Sequence, residues 1–110
     1  MNTPTDFRFG EVHGLLDQVE KGHEKVHCKN IFETGNGGVS LMAFEAGQKL
    51  DTHLAPAEVM VTVMEGEIEF TIDGKANNLK AGEFILMGAD VPHSVFATTD
   101  AKVLLVKVKP

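Results

Sequence analysis

The sequence predicts an all-β protein, an antiparallel sandwich or barrel of short strands with a short N-terminal helix or turn. Three observations carry that expectation. Short apolar runs succeed one another from about residue 26 to residue 108, broken by glycine-bearing turns. One run, EIEFTI, alternates apolar and polar residues, and the Asp73-Gly74 pair behind it is a strong hairpin signal. Helical spacing occurs in one short stretch only, GLLDQVEKG.

Taken in order, residues 1–10 read as an arm or an early edge strand. In residues 14–22, Leu15, Leu16 and Val19 share a helical face and Gly22 supplies a stop, enough for a short helix or turn. The pattern then becomes β. VHCKNIFET (26–34) is a strand, TGNGG (34–38) a turn, VSLMAFEAG (39–47) a strand ending at a turn, and KLDTHL (49–54) another extended stretch. VMVTVM (59–64) is apolar or threonine throughout, as in a strand covered on both faces. Ile68, Phe70 and Ile72 alternate with Glu67, Glu69 and Thr71 ahead of the Asp73-Gly74 turn. Lys80-Ala81-Gly82 makes a second turn, Phe84 to Met87 a strand, VPHSVF (91–96) opens another, and KVLLVKV (102–108) is the last. There is no repeat, low-complexity tract or linker. One domain is expected, with an arm or helix over 1–25 and a barrel over 26–110.

Composition narrows the function classes. Apolar residues make up 43% and charged residues 24%, ordinary for a soluble globular chain. No apolar stretch approaches the roughly 18–20 residues of a membrane span, and MNTPTDFRFGEV lacks the features of a signal peptide. A cytoplasmic protein without a membrane partner is expected. The formal charge of −6 argues against a nucleic-acid partner. Lys107 and Lys109 alternate with valine, as on the solvent face of a final strand. Cys28, the sole cysteine, excludes an intrachain disulfide or a cysteine zinc cluster and reads as a strand residue.

Of the five histidines, His13 and His23 flank the helical stretch and are expected to be exposed, and His27 lies in the first strand. His53 and His93 differ because each sits at a strand start beside a turn. Two imidazoles brought together from separate strands are a common beginning for a metal site.

At these residues the chain resembles the cupin family. The first cupin motif is Gly, five residues, His-x-His, three or four residues, Glu, six residues, Gly; here Gly47 leads through QKLDT to His53 and the motif closes at Gly66. The second is Gly, five residues, Pro-x-Gly, two residues, His, three residues, Asn; here Gly82 leads through EFILM, Gly88 and ADVP to His93 in register. The 15 residues between the motifs match the spacing of small cupins, and the resemblance covers about residues 39–108.

The resemblance implies a jelly-roll barrel whose His-x-His, Glu and later His hold a divalent metal such as zinc, iron, nickel or manganese. This chain departs from that pattern. Ala55 occupies the second histidine slot, Val59 the glutamate slot, and Ala97 the asparagine slot, while Gly88 and Asp90 replace Pro and Gly. His53 and His93 remain as metal ligands. Glu58 is off by one residue, which on a strand points it to the other face unless a bulge re-aims it.

With Val59 facing inward, Val61 and Val63 share its face, and Ala55 and Ala97 leave space. The interior then reads as an apolar small-molecule pocket with two histidines, lined by Ala55, Val59, Val61 and Ala97. Alternatively, Val61 and Val63 are plain barrel core. The opposite face, Met60, Thr62 and Met64, needs a cover, and the resemblance implies a homodimer. Three functions are therefore weighed: a small-molecule-binding barrel, with or without a divalent metal; a metal-dependent enzyme, an oxygenase or isomerase acting on a small organic acid or carbonyl compound; and, ranked last for want of a carboxylate to orient either ring, metal-free acid–base catalysis by His53 or His93.

Overall fold

The structure, a computed structural model, describes residues 5–110. Among the described residues, nine strands follow a single 3₁₀ turn at Leu16–Gln18: β1 His27–Thr34, β2 Gly37–Phe44, β3 Lys49–His53, β4 Glu58–Glu65, β5 Glu67–Ile72, β6 Lys75–Lys80, β7 Phe84–Met87, β8 His93–Ala97 and β9 Ala101–Val108. They form a five-stranded sheet, β1-β2-β9-β4-β7, and a four-stranded sheet, β3-β8-β5-β6. Every pairing is antiparallel. This is a jelly roll, so the all-β expectation holds and the helical stretch is reduced to one turn. The early edge strand is absent from residues 5–10, which form bends and turns; residues 1–4 lie outside the described residues.

The β5–β6 hairpin shows the local logic. Its two-residue turn places both Asp73 (φ 49) and Gly74 (φ 83) in the left-handed region, the geometry that Asp-Gly suits and that matches the strands' twist. Alternation then buries Ile68 and Phe70 and exposes Glu69.

The inner faces of the two sheets enclose the core. Phe44, Val63, Ile68, Leu79, Val103 and Ala97 fill one end almost completely, each 3% exposed or less. A second, smaller cluster lies on the outside of the five-stranded sheet, where Val19 covers Leu41 and Ala43. Polar ties fasten the segment carrying Val19. Lys21 Nζ pairs with Asp100 Oδ2 at 2.5 Å, Lys102 Nζ donates to the Leu16 carbonyl, and Gln48 Nε2 donates to the Gly22 carbonyl. Among the described residues no helix is long and apolar enough to cross a membrane.

The β4 run has the double-sided character its composition predicts. Val59, Val61 and Val63 are buried inward, while Met60, Thr62 and Met64 are half-buried on the outer face. Their cross-strand neighbours on that face, Val106 and Leu104 on β9 and Leu86 and Phe84 on β7, are apolar as well.

Candidate functional site

Where the filled core stops, a cavity of about 360 Å³ opens between the sheets, and both motif histidines line it. Its size lies within the ordinary range for small-molecule sites, about 300–1,000 Å³. His53 and His93 are directly opposed Cα partners on β3 and β8, with ring centroids 4.1 Å apart and planes inclined at 59°.

His53 reaches this position through a register irregularity between Leu50 and His53. On a regular strand, residues three apart face opposite sides. The irregularity lets Leu50 and His53 both line the cavity. His93 is set by the loop before it. Asp90 there has φ 60, in the slot where the cupin pattern has glycine, and its N–H donates to the Ala55 carbonyl at 2.8 Å. Aspartate tolerates the left-handed conformation better than most side chains, so the turn survives the replacement.

Each imidazole is held by a carbonyl two residues upstream. His53 Nδ1 lies 2.8 Å from the Asp51 carbonyl and His93 Nδ1 lies 2.9 Å from the Val91 carbonyl. A carbonyl only accepts, so both Nδ1 atoms carry hydrogen, and in the neutral ring each Nε2 offers a lone pair. His93 is 6% exposed and stacked at 5.8 Å on Phe70. Burial lowers its pKa below the ordinary histidine value. The Val91 hydrogen bond opposes that shift, while His53 and the cation of Lys107 reinforce it.

The remaining expected site residues divide. Ala55, Val59 and Val61 line the cavity. Ala97 does not: it is fully buried in the packed core, four residues further along β8 than His93, about 13 Å down a strand rising ~3.3 Å per residue. Glu58 is exposed and pairs with Val108, and it borders a separate outer depression with Met60 and Leu86. No bulge re-aims it, because β4 stays in regular register from Glu58 to Val63. Among the described residues, no three His, Cys, Asp or Glu side chains come together as a possible metal site.

The cavity also contains residues that sequence reasoning missed or misplaced: Cys28 and Asn30 from β1, Ser40 from β2, and Lys107 from β9. Lys107 is exposed, as expected, yet its Cα partner is the inward Val59, so it stands on the cavity side of the sheet. The valines beside it, Val106 and Val108, belong to the outer face, so the alternation is inverted relative to the usual rule. The available signal was parity: Ser40 shares its face of β2 with Met42 and Phe44, and Lys107 shares its face of β9 with Val103 and Leu105.

The metal expectation can be tested on these residues. Nδ1 bonds to carbonyls with free Nε2 atoms suit two ligands, but an open catalytic zinc site uses about three protein ligands. The carboxylate is turned away and a lysine lines the same cavity. The residues present do not fit a resident divalent ion.

The jelly roll with paired motif histidines at one end defines a class of small barrel proteins, and sequence comparison agrees. The cupin domain family matches residues 40–108, and the chain belongs to that family. A conserved protein of unknown function from Streptococcus pyogenes is 27% identical, with a TM-score of 0.89 over 100% of this chain and 96% of its own. An RmlC-like cupin from Desulfovibrio desulfuricans is 31% identical, TM-score 0.80, over 89% and 95% of the two chains. A cupin 2 conserved barrel domain protein from Leptotrichia buccalis is 38% identical, TM-score 0.82, over 86% of this chain but 46% of its own. No curated protein matches.

Proposed function

We propose that this cupin barrel binds a small molecule in the cavity beside His53 and His93. The observation that carries the reading is a cavity of about 360 Å³ with a mainly apolar floor and two imidazoles convergent on it. Such a cavity buries hydrocarbon while the Nε2 lone pairs fix orientation. The test is a metabolite screen by thermal shift, with binding mapped by NMR. Ligands are expected to raise the melting temperature without added metal and to perturb residues around His93, and His93→Ala should abolish the shift. A broad screen without hits, or hits indifferent to His93→Ala, would sink the reading.

The second reading is a metal-dependent enzyme, an oxygenase or isomerase on a small organic acid or carbonyl compound. The two carbonyl-anchored imidazoles favour it; the outward Glu58 and the inward Lys107 oppose it. Elemental analysis of untagged protein separates the two, since stoichiometric metal lost in both His53→Ala and His93→Ala would restore the enzyme.

The same proposal extends to assembly and location. Phe84, Leu86 and Val108 are 58%, 67% and 55% exposed on the outer face of the five-stranded sheet, a concentration that suits a homodimer. The cytoplasm is the compartment we assign. Sedimentation of the wild type against Leu86→Glu checks the dimer: a wild-type monomer would remove it.

A further inference from the structure

The cavity has two polar walls of different character, one on each sheet. On the four-stranded sheet stand His53 and His93, whose Nδ1–H groups are already committed to backbone carbonyls. In its neutral form such a ring offers an acceptor inward, at Nε2. On the five-stranded sheet stand Asn30 and its Cα partner Ser40, and Lys107, whose partner Gly38 lies two residues from Ser40 on β2. That wall supplies an amide, a hydroxyl and an ammonium. Lys107 is electrically coupled to the opposite wall, since its charge acts on His93. Among the described residues no Asp or Glu lines the cavity.

This asymmetry selects among ligands. A carboxylate only accepts hydrogen bonds, so it finds no partner at a neutral Nε2, but it finds a cation and two donors on the opposite wall. An Nε2 lone pair calls for a donor, and a ligand hydroxyl is one. Hydrocarbon is accommodated between the walls by Leu50, Val59, Phe70 and Leu105. Resting on the small-molecule reading above, we infer that the cavity takes a small hydroxylated organic anion, its carboxylate on the Lys107–Ser40–Asn30 wall and its hydroxyl donating to the histidine pair. The cation that replaces the expected metal belongs to the protein itself, in the form of Lys107.

Calorimetric titration with three matched probes, whose polar groups stand at opposite ends of one chain, tests the assignment: 6-hydroxyhexanoate, hexanoate and 1,6-hexanediol, all with EDTA present so that no divalent ion bridges ligand and protein. The hydroxy acid is expected to bind at least about tenfold more tightly than either analogue, the scale of one charge-assisted hydrogen bond. Lys107→Met should erase its advantage over the diol. Lys109→Met, at a position outside the cavity lining, should change nothing. Because Lys107 is exposed, the variant should keep the wild-type circular dichroism and cooperative melt. Diol binding equal to that of the hydroxy acid, or an advantage that survives Lys107→Met, overturns the anion assignment while leaving a small-molecule cavity in place. Absence of binding by all three probes overturns the assignment too. The metabolite screen then decides independently whether the cavity reading falls with it.

Discussion

Phe70 links the stability of the barrel to the chemistry of the site, and Phe70→Ala tests that link on both sides. The ring is 2% exposed, belongs to the main core cluster and stacks on His93 at 5.8 Å. Truncating such a phenylalanine typically costs about 3–5 kcal/mol, the transfer of the ring plus the void it leaves. A domain of this length has a total stability of about 5–15 kcal/mol, so the variant should still fold. With roughly 4 °C per kcal/mol for a domain near this size, the melting temperature should fall by about 12–20 °C. The second consequence concerns His93. Burial is the largest cause of its lowered pKa, and removing the ring admits water beside it. The pKa should therefore rise toward the ordinary histidine value of about 6.5. Urea unfolding measures the first effect and NMR titration of the His93 ring the second. A stability loss below about 1.5 kcal/mol would refute the packing argument. A His93 titration that stays in place or moves down would refute the burial argument.

Two further predictions concern pH and backbone. Because the folded-state pKa of His93 is lowered, the unfolded chain takes up this proton first on acidification. The stability linked to His93 is thus fully present above about pH 6.5 and is lost as pH falls through the folded pKa; urea midpoints from pH 8 to 5 should decline, and less steeply in His93→Gln, whereas equal slopes would contradict the assignment. Gly66 (φ 78) has the Asp100 carbonyl oxygen 2.0 Å from where a Cβ would stand, while Gly74 (φ 83) has no atom within 4 Å. Gly74→Ala should therefore cost about 1–2 kcal/mol, the left-handed penalty alone, and Gly66→Ala clearly more by the same unfolding assay; equal costs would count against the close approach.

The strands were legible in this sequence because their ends carry turn chemistry and their interiors carry apolar runs. The β5–β6 hairpin is the clearest case, where alternation and an Asp-Gly turn agree and the structure follows both. The site was only half legible. The histidine pair could be found from motif spacing alone, and Ala55, Val59 and Val61 follow from the same register. Lys107 was missed for a physical reason: both faces of the five-stranded sheet are apolar around β9, so alternation does not tell inside from outside there. His53 depends on an irregularity in β3 that no local residue announces. Ala97 shows the limit of slot-by-slot reading, because a residue in the correct slot and on the correct face sits beyond the end of the cavity, where the core is already filled.

The pairing of Val59 with Lys107 across β4 and β9 has a consequence for anyone redesigning this barrel. Restoring the cupin ligand pattern looks like a double substitution, Ala55→His with Val59→Glu. A carboxylate at position 59, however, would stand beside an ammonium already in place and form an ion pair with it. The rebuilt site would hold its own internal counter-ion and compete with any incoming metal. Building that pattern therefore requires a third change, at Lys107, and none of the three is useful alone. The Val59–Lys107 pairing thus makes changes at the two positions interdependent, so the polarity of the cavity cannot be rewritten one residue at a time.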